Sequence, residues 1–479
     1  MNRRMILYMP LQILRATALL MLLPAAVSIY YREPCVWSFL ICSGGALLLS
    51  IPAAKLVKPY TKEIYAKDGF VIVALSWILL SALGALPFTI SGEIPSYVDA
   101  FFETVSGFTT TGASILTHVE SMSRGLLFWR SFTHFLGGMG VIVFVMAITN
   151  LSDRPIHIMR AEMPGPIVGK LVPKAKQTAK ILYLIYIVLT LTEIALLKIG
   201  GMSLFEATVH AFGTAGTGGF GIRSDSIAGY TPFAQWVITV FMMVFGVNFN
   251  LYYLILIRNF KTALKSRELW VYCGIFGGST LLVTLNVLRM FPSFGTALRH
   301  AAFQVSSIMT TTGFVTTDYD RWPQLSKTVL LLLMFIGACA GSTAGGLKVS
   351  RVIILGKTIH REVTRMLHPR SVRVIRFEGK KLEEAVIHNT AVYFVLYFIC
   401  VMAGFFLLSI EPLDLESCFT AVVACFNNIG PAFGAAGPAS NYAVFSPFSK
   451  LVLSAAMLLG RLEIFPLILA FSPTTWMKK

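Results

Sequence analysis

Four short stretches of this chain repeat one design, and together they limit the folds open to it. Thr109-Thr110-Thr111-Gly112, Gly216-Thr217-Gly218-Gly219, Thr310-Thr311-Thr312-Gly313 and Asn427-Asn428-Ile429-Gly430 each end in glycine. Aligning the four glycines brings small residues into register upstream. Ser106, Gly213, Ser307 and Ala424 stand six places before, and Ala100, Ala207, Ala301 and Cys418 twelve places before. The glycines are 107, 94 and 117 residues apart, too long for the period of a solenoid. This spacing suits a unit of two spanning helices with a short helix between them. Four such units, one glycine each, predict four walls around one axis.

The sequence between the glycines places those walls in a membrane. Hydrophobic residues make up 56% of the chain and charged residues 13%, with a mean hydropathy of +0.72. Apolar runs of about twenty residues, the length that crosses a bilayer, occur at 11–31, 36–56, 70–91, 125–149, 180–199, 233–257, 269–290, 326–346, 388–409 and 448–471. The expected fold is an all-α polytopic membrane protein. Segments 96–108, 203–214, 295–308 and 414–426 are too short to span and read as re-entrant half-helices leading into the glycine stretches. Four helix–re-entrant pore loop–helix repeats around one pore are therefore expected at 69–150, 175–260, 268–365 and 385–475. Residues 1–68 supply two further transmembrane helices without a glycine stretch. Arg3 and Arg4 precede the first apolar run, but no small-residue cleavage site follows, so that helix is read as retained.

Charge gives the orientation. The formal net charge is +17, and 28 of the 40 Lys and Arg lie in 1–10, 55–69, 151–180, 258–268, 348–387 and 472–479. With the N-terminus in the cytoplasm, all six stretches are cytoplasmic, as the positive-inside rule requires. Splitting the charge between short loops argues against a nucleic-acid partner. Glu93, Asp99, Glu103, Asp225, Asp318, Asp320, Asp414 and Glu416 flank the glycine stretches on the opposite side. They form either a solvated rim or a mouth that concentrates cations. The seven cysteines show no metal-type pairing and read as small buried residues.

Irregular backbone at membrane depth survives only where it is buried in protein or lines water. Rings of carbonyl oxygens can replace the hydration shell of potassium, and glycine adopts the positive φ that aims them. The candidate cation ligands are Thr110, Thr111, Gly112, Gly218, Gly219, Thr311, Thr312, Gly313, Asn428, Ile429 and Gly430. The negative C-terminal ends of the half-helices would favour a cation at the same place. Two other features stand apart. Gly337, Gly341 and Gly345 have the spacing of a helix-packing stripe, yet Ser342, Thr343, Gly345 and Gly346 weaken a helix and would allow a loop there. Arg461 lies in the last apolar run, where a charge either snorkels to the surface or faces a cavity or partner. Lys348 either shares that role or anchors a helix end.

With these motifs the chain resembles the Trk/Ktr/HKT superfamily of potassium transporters, and most of all its bacterial TrkH/TrkG branch. The resemblance covers nearly the whole chain. It is carried by residues 109–113, Gly218-Gly219-Phe220, 310–314, 427–431, 337–348 and 460–463, and the two extra N-terminal helices fit that branch. It implies that Gly112, Gly219, Gly313 and Gly430 form a selectivity filter. It further implies that 337–346 is an intramembrane gate opposed by Arg461. Potassium is the implied cargo, taken up across the bacterial inner membrane. The implied assembly is a homodimer associated with a cytosolic, nucleotide-binding regulatory protein of TrkA type. The chain has no nucleotide motif and so no expected organic cofactor. Gly216 and Gly218 depart from the threonine-rich pattern and leave the ligands of the second stretch open. The presence of Gly112, where sodium-preferring members carry serine, favours potassium. The alternative is an ion-coupled secondary transporter using intramembrane carboxylates such as Glu193 and Glu206. An enzyme is disfavoured, because His118, His134, His210, His300 and His388 are scattered and form no catalytic motif.

Overall fold

The computed structural model describes residues 2–61, 65–140, 175–371 and 373–477. The end of the first expected repeat (141–150) and the basic residues Arg154, Arg160, Lys170 and Lys174 lie outside them. The described chain is helical almost throughout. Its one strand pair, among those residues, is Arg376–Phe377 with Lys380–Lys381.

Arg3–Leu20 and Leu22–Tyr30 continue one another as the first apolar span, and Val36–Leu56 returns as the second. Four groups of helices follow. Each has a long first helix, Ala66–Ile90, Ala175–Ile199, Arg267–Val287 or Glu384–Leu408, then a short one. The short helices, Tyr97–Phe108, Leu204–Ala215, Phe294–Met309 and Leu415–Phe426, have 12, 12, 16 and 12 residues. At about 1.5 Å per residue they fall short of a hydrocarbon core of about 30 Å. Local sequence starts each of them. Ser96, Ser203, Ser293 and Asp414 accept hydrogen bonds from the backbone N–H three residues on, which satisfies an orphan donor of the first turn. At Ser203 the carboxylate of Glu206 reaches back to close a capping box. Ala100, Ala207, Ala301 and Cys418, the small residues twelve before each glycine, are buried. Lipid-sized apolar side chains such as Leu48, Leu49 and Phe406 remain exposed on the outside, as a surface facing lipid demands.

The second helices differ from the straight crossings expected at 125–149, 233–257, 326–346 and 448–471. Six helices are long and apolar enough to cross, or eight if each bent pair counts once, among the described residues. Pro232–Phe245 meets Phe249–Leu256 at 89°, and Pro447–Arg461 meets Phe465–Phe471 at 118°. Gln324–Phe335 gives way to irregular backbone before Val349–Leu367, and Arg124–Gly138 ends at Met139, with 141–149 outside the described residues. For the two bent pairs the causes are local. Asn248 breaks the second-unit helix by capping a new start, accepting from Asn250 N–H at 2.9 Å. In the last unit Glu463 and Ile464 have φ of 53° and 69°, a conformation no helix continues through. Apolar composition cannot reveal either break.

Candidate functional site

The four short helices end in one place and in one way. The N–H of Thr111, Gly218, Thr312 and Ile429 reaches back five residues to the carbonyl of Ser106, Gly213, Ser307 and Ala424, at 2.9, 2.8, 2.8 and 2.8 Å. These acceptors are the small residues six before each glycine. The intervening Thr110, Thr217, Thr311 and Asn428 have φ of 56°, 54°, 56° and 56°. This is a Schellman termination with threonine or asparagine where glycine is usual. Left-handed threonine is strained and persists only when its surroundings hold it. The glycines follow with φ of 80°, 76°, 82° and 92°. Each stretch thus carries two left-handed residues on either side of one that is not. Even the divergent fourth stretch keeps this backbone.

The four stretches close into a ring. A Cβ on Gly112 would lie 1.9 Å from the carbonyl oxygen of Gly218, and one on Gly219 1.9 Å from that of Thr312. On Gly313 it would lie 2.1 Å from Ile429 O, and on Gly430 2.5 Å from Thr111 O. Each glycine therefore abuts the glycine stretch of the next unit, and the fourth abuts the first. Side-chain hydroxyls brace the ring. Thr109 and Thr111 share a hydrogen bond of 2.8 Å, as do Thr310 and Thr312. Asn428 Nδ2 donates to Thr111 Oγ1 at 3.0 Å.

The departure at Gly216 and Gly218 has a steric cause. A Cβ on Gly218 would meet the His134 ring at 2.3 Å, and one on Gly216 the His134 carbonyl oxygen at 2.3 Å. The helix Arg124–Gly138 leaves no room for the threonines found in the first and third stretches. His134 was one of the scattered histidines in the sequence. Its trace there was the pair of glycines it imposes.

At one end the ring opens into a cavity of about 150 Å³ lined by Gly112, Gly219, Gly313, Pro431, Arg130 and Tyr442, among others. None of the eight flanking carboxylates lines it. Glu103 is buried against Arg130 at 2.5 Å, and Asp99 pairs with Lys450 at 2.6 Å. Asp225 holds Arg223, Asp318 holds Arg321, and Asp320 and Glu416 share Lys327. Glu93 and Asp414 accept backbone N–H groups of Ser123 and Ser417. Of the two readings open in the sequence, these contacts favour a rim over a cation-concentrating mouth, since the carboxylates hold loops and pair with cations. Glu120 does the same across two units. The Ser224 N–H and hydroxyl, at 2.6 and 2.7 Å, keep its carboxylate below the usual range.

At the other end of the ring, next to Thr110 and Thr311, lies 336–348. It is not helical, so its glycines are not a helix-packing stripe. Ile336 bridges Leu347 at its neck, where Gly337 N–H donates to Leu347 O at 2.7 Å. Glu268 Oε1 accepts from Ala340 and Ser350 N–H at 2.8 and 3.0 Å. The tip reaches the ring, with Gly345 N–H on Thr311 Oγ1 at 2.7 Å. Gly341 and Gly346 take positive φ, 71° and 66°. Two cations hold this loop. Arg461 Nη1 donates to Thr343 O at 2.9 Å and Thr110 Oγ1 at 3.2 Å, while Nη2 donates to the carbonyls of Gly137 and Gly138. Lys348 is buried and turns its ammonium onto the carbonyls of Ala344 and Gly345. Neither side chain snorkels. A cavity of about 50 Å³ separates the loop from Gly138, Gly460 and Glu463.

The remaining candidates line neither cavity at the ends of the ring. Glu206 is spent on its capping box, and Glu193 is buried against Thr214. His210 and His300 bond locally, to Glu206 O and Thr316 Oγ1. Among the described residues no cluster of His, Cys, Asp or Glu is built to hold a metal ion.

The model of the TrkH family, described as cation transport protein, matches residues 38–272 and 280–478. The Trk system potassium uptake protein TrkH of Escherichia coli K12 is 37% identical over 468 residues, 95% of each chain. TrkG of the same strain is 34% identical over 474 residues, 96% of each chain. The crystal structure of the potassium transporter TrkH from Vibrio parahaemolyticus superposes with a TM-score of 0.90 over all of both chains, at 32% identity.

Proposed function

This chain belongs to the TrkH family of cation transport proteins, and from that premise we propose that it takes up potassium through the ring of four glycine stretches. The observation that carries the reading is the closure of the ring in chain order, with the same left-handed pair in every stretch. Such a ring offers backbone carbonyls at a fixed spacing and strips water from a cation without acidic ligands. In this reading the ligands are carbonyls of Thr110, Thr111 and Gly112, Gly218 and Gly219, Thr311, Thr312 and Gly313, and Asn428, Ile429 and Gly430. The pore repeats are 69–150, 175–260, 268–365 and 385–475, with 1–68 outside them.

The loop 337–346, held by Arg461 and Lys348, is the gate of this pathway. It sits against one end of the ring and carries two positive charges that a potassium ion would have to pass. The protein lies in the bacterial inner membrane with its N-terminus and basic loops in the cytoplasm, as the charge distribution favours. Its resemblance to the TrkH/TrkG branch implies a homodimer under a cytosolic partner of TrkA type, which would supply the nucleotide site that the chain's own motifs do not. A coupled transporter would place a titratable carboxyl in the pathway, and neither Glu193 nor Glu206 lines the cavities at the two ends of the ring. Expression in a bacterial strain without potassium uptake systems tests the proposal. Growth should return in low-potassium medium, and failure of a correctly inserted protein to restore it would count against potassium as the cargo.

A further inference from the structure

The second wall of the ring lacks the threonine side chains that brace the first and third, and its backbone keeps the same geometry nonetheless. Something else must hold it. His134 Nδ1 lies 2.8 Å from the carbonyl oxygen of Gly107, and a carbonyl only accepts. Nδ1 therefore carries the proton, which leaves Nε2 as an acceptor. It receives the N–H of Phe220, the residue directly after Gly219, at 3.3 Å. The ring also packs on Phe220, with centroids 4.2 Å apart, and is fully buried. One turn earlier on the same helix, Arg130 covers the Phe220 ring at 3.6 Å and donates to Gly221 O at 2.8 Å. The imidazole thus links the end of the first short helix to the exit of the second glycine stretch, in the volume a residue-218 side chain would need.

We infer that His134 is a specificity-positioning residue, which sets the carbonyls of the second wall by holding Phe220 N–H and stands in for the threonine side chain missing at Gly218. The inference rests on the ring being the potassium filter. It touches no ion itself and acts through the backbone of Phe220 and Gly219.

The test compares potassium and sodium flux in proteoliposomes for four variants beside the parent. His134→Asn keeps a donor toward Gly107 but loses the acceptor for Phe220, so the potassium-to-sodium ratio should fall severalfold. His134→Gln places an oxygen where Nε2 stood and should keep most of the ratio. Gly218→Thr should lower the ratio by colliding with the imidazole, and His134→Ala with Gly218→Thr should recover part of it. Equal ratios for Asn and Gln would mean that the imidazole only packs, and no recovery in the double variant would mean that it does not stand in for a threonine at 218; either result overturns the inference. If the Asn variant fails to insert, His134→Leu takes its place as the variant without an acceptor, and a ratio equal to that of His134→Gln overturns the inference. Gly313→Ser serves as the reference. A ratio altered there but untouched by every His134 and Gly218 variant removes this inference and leaves the filter reading standing. A ratio untouched by all of them removes the filter reading itself.

Discussion

Arg461 Nη1 donates to the carbonyl of Thr343 at 2.9 Å, joining the last unit of the chain to the irregular loop of the third. The same guanidinium reaches Thr110 in the first glycine stretch and the end of the helix Arg124–Gly138. One side chain therefore fixes the loop against three other parts of the ring assembly. A guanidinium in that place both repels cations and pins the loop.

Arg461→Ala should raise potassium flux in proteoliposomes lacking any cytosolic partner. At about 6 Å and an effective dielectric of about 20, two unit charges repel by roughly 3 kcal/mol, which corresponds to about a hundredfold in passage. Arg461→Lys retains the charge but not the forked donation to Thr343 and Gly138. Its flux should lie between parent and alanine variant. Flux equal to the parent in a well-inserted alanine variant would remove Arg461 from the gate.

Deleting 341–344 should also raise basal flux. The neck formed by Ile336, Gly337 and Leu347 lies outside the deletion and can still close. A deleted protein that inserts, keeps its thermal stability and conducts no better than the parent would show that the loop does not obstruct the path.

Gly313→Ser should lower the preference for potassium over sodium. Its Cβ would stand 2.1 Å from the carbonyl oxygen of Ile429, and φ of 82° disfavours any side chain. The strand must move, and a displaced carbonyl ring fits the ion less closely. Reversal potentials under mixed potassium and sodium would read the change, and an unaltered ratio would speak against the ring as filter.

Glu103→Ala should destabilise the protein by about 3–5 kcal/mol, the usual consequence of leaving a buried charge without its partner. Glu103 and Arg130 are both buried, and Glu103 also accepts from Ser114 Oγ and Ile115 N–H. Thermal unfolding in detergent measures the loss. Adding Arg130→Met should recover much of it, whereas an equally unstable double variant would mean that the carboxylate matters through Ser114 and Ile115 instead.

The repeat plan could be read from the chain because its signals are local. A serine or aspartate cap, a short apolar helix, a small residue six before a glycine, and the glycine itself lie within about twenty residues of each other. Long-range relations were hidden. Nothing in the order of residues says that Gly430 meets Thr111, or that Gly216 and Gly218 make way for His134. The spacing of Gly337, Gly341 and Gly345 suited a packing helix as well as a loop. The choice was made by partners far away in the chain, Glu268, Gly246 and Arg461. The acidic residues near the mouth carried the right sign for attracting cations, and only their pairing with Arg130, Lys327 and Lys450 showed them neutralised. Hydropathy failed where backbone geometry ruled, at Asn248 and at Glu463 and Ile464.

Ion flux through the purified protein in liposomes separates passage through a carbonyl ring from coupled transport. Potassium, rubidium and sodium gradients would each be imposed, with the proton gradient either present or collapsed. Passage through a carbonyl ring predicts potassium and rubidium movement down their own gradients, well above sodium, at a rate indifferent to the proton gradient. Potassium movement that stops when the proton gradient is collapsed, or sodium passing as readily as potassium, would contradict it.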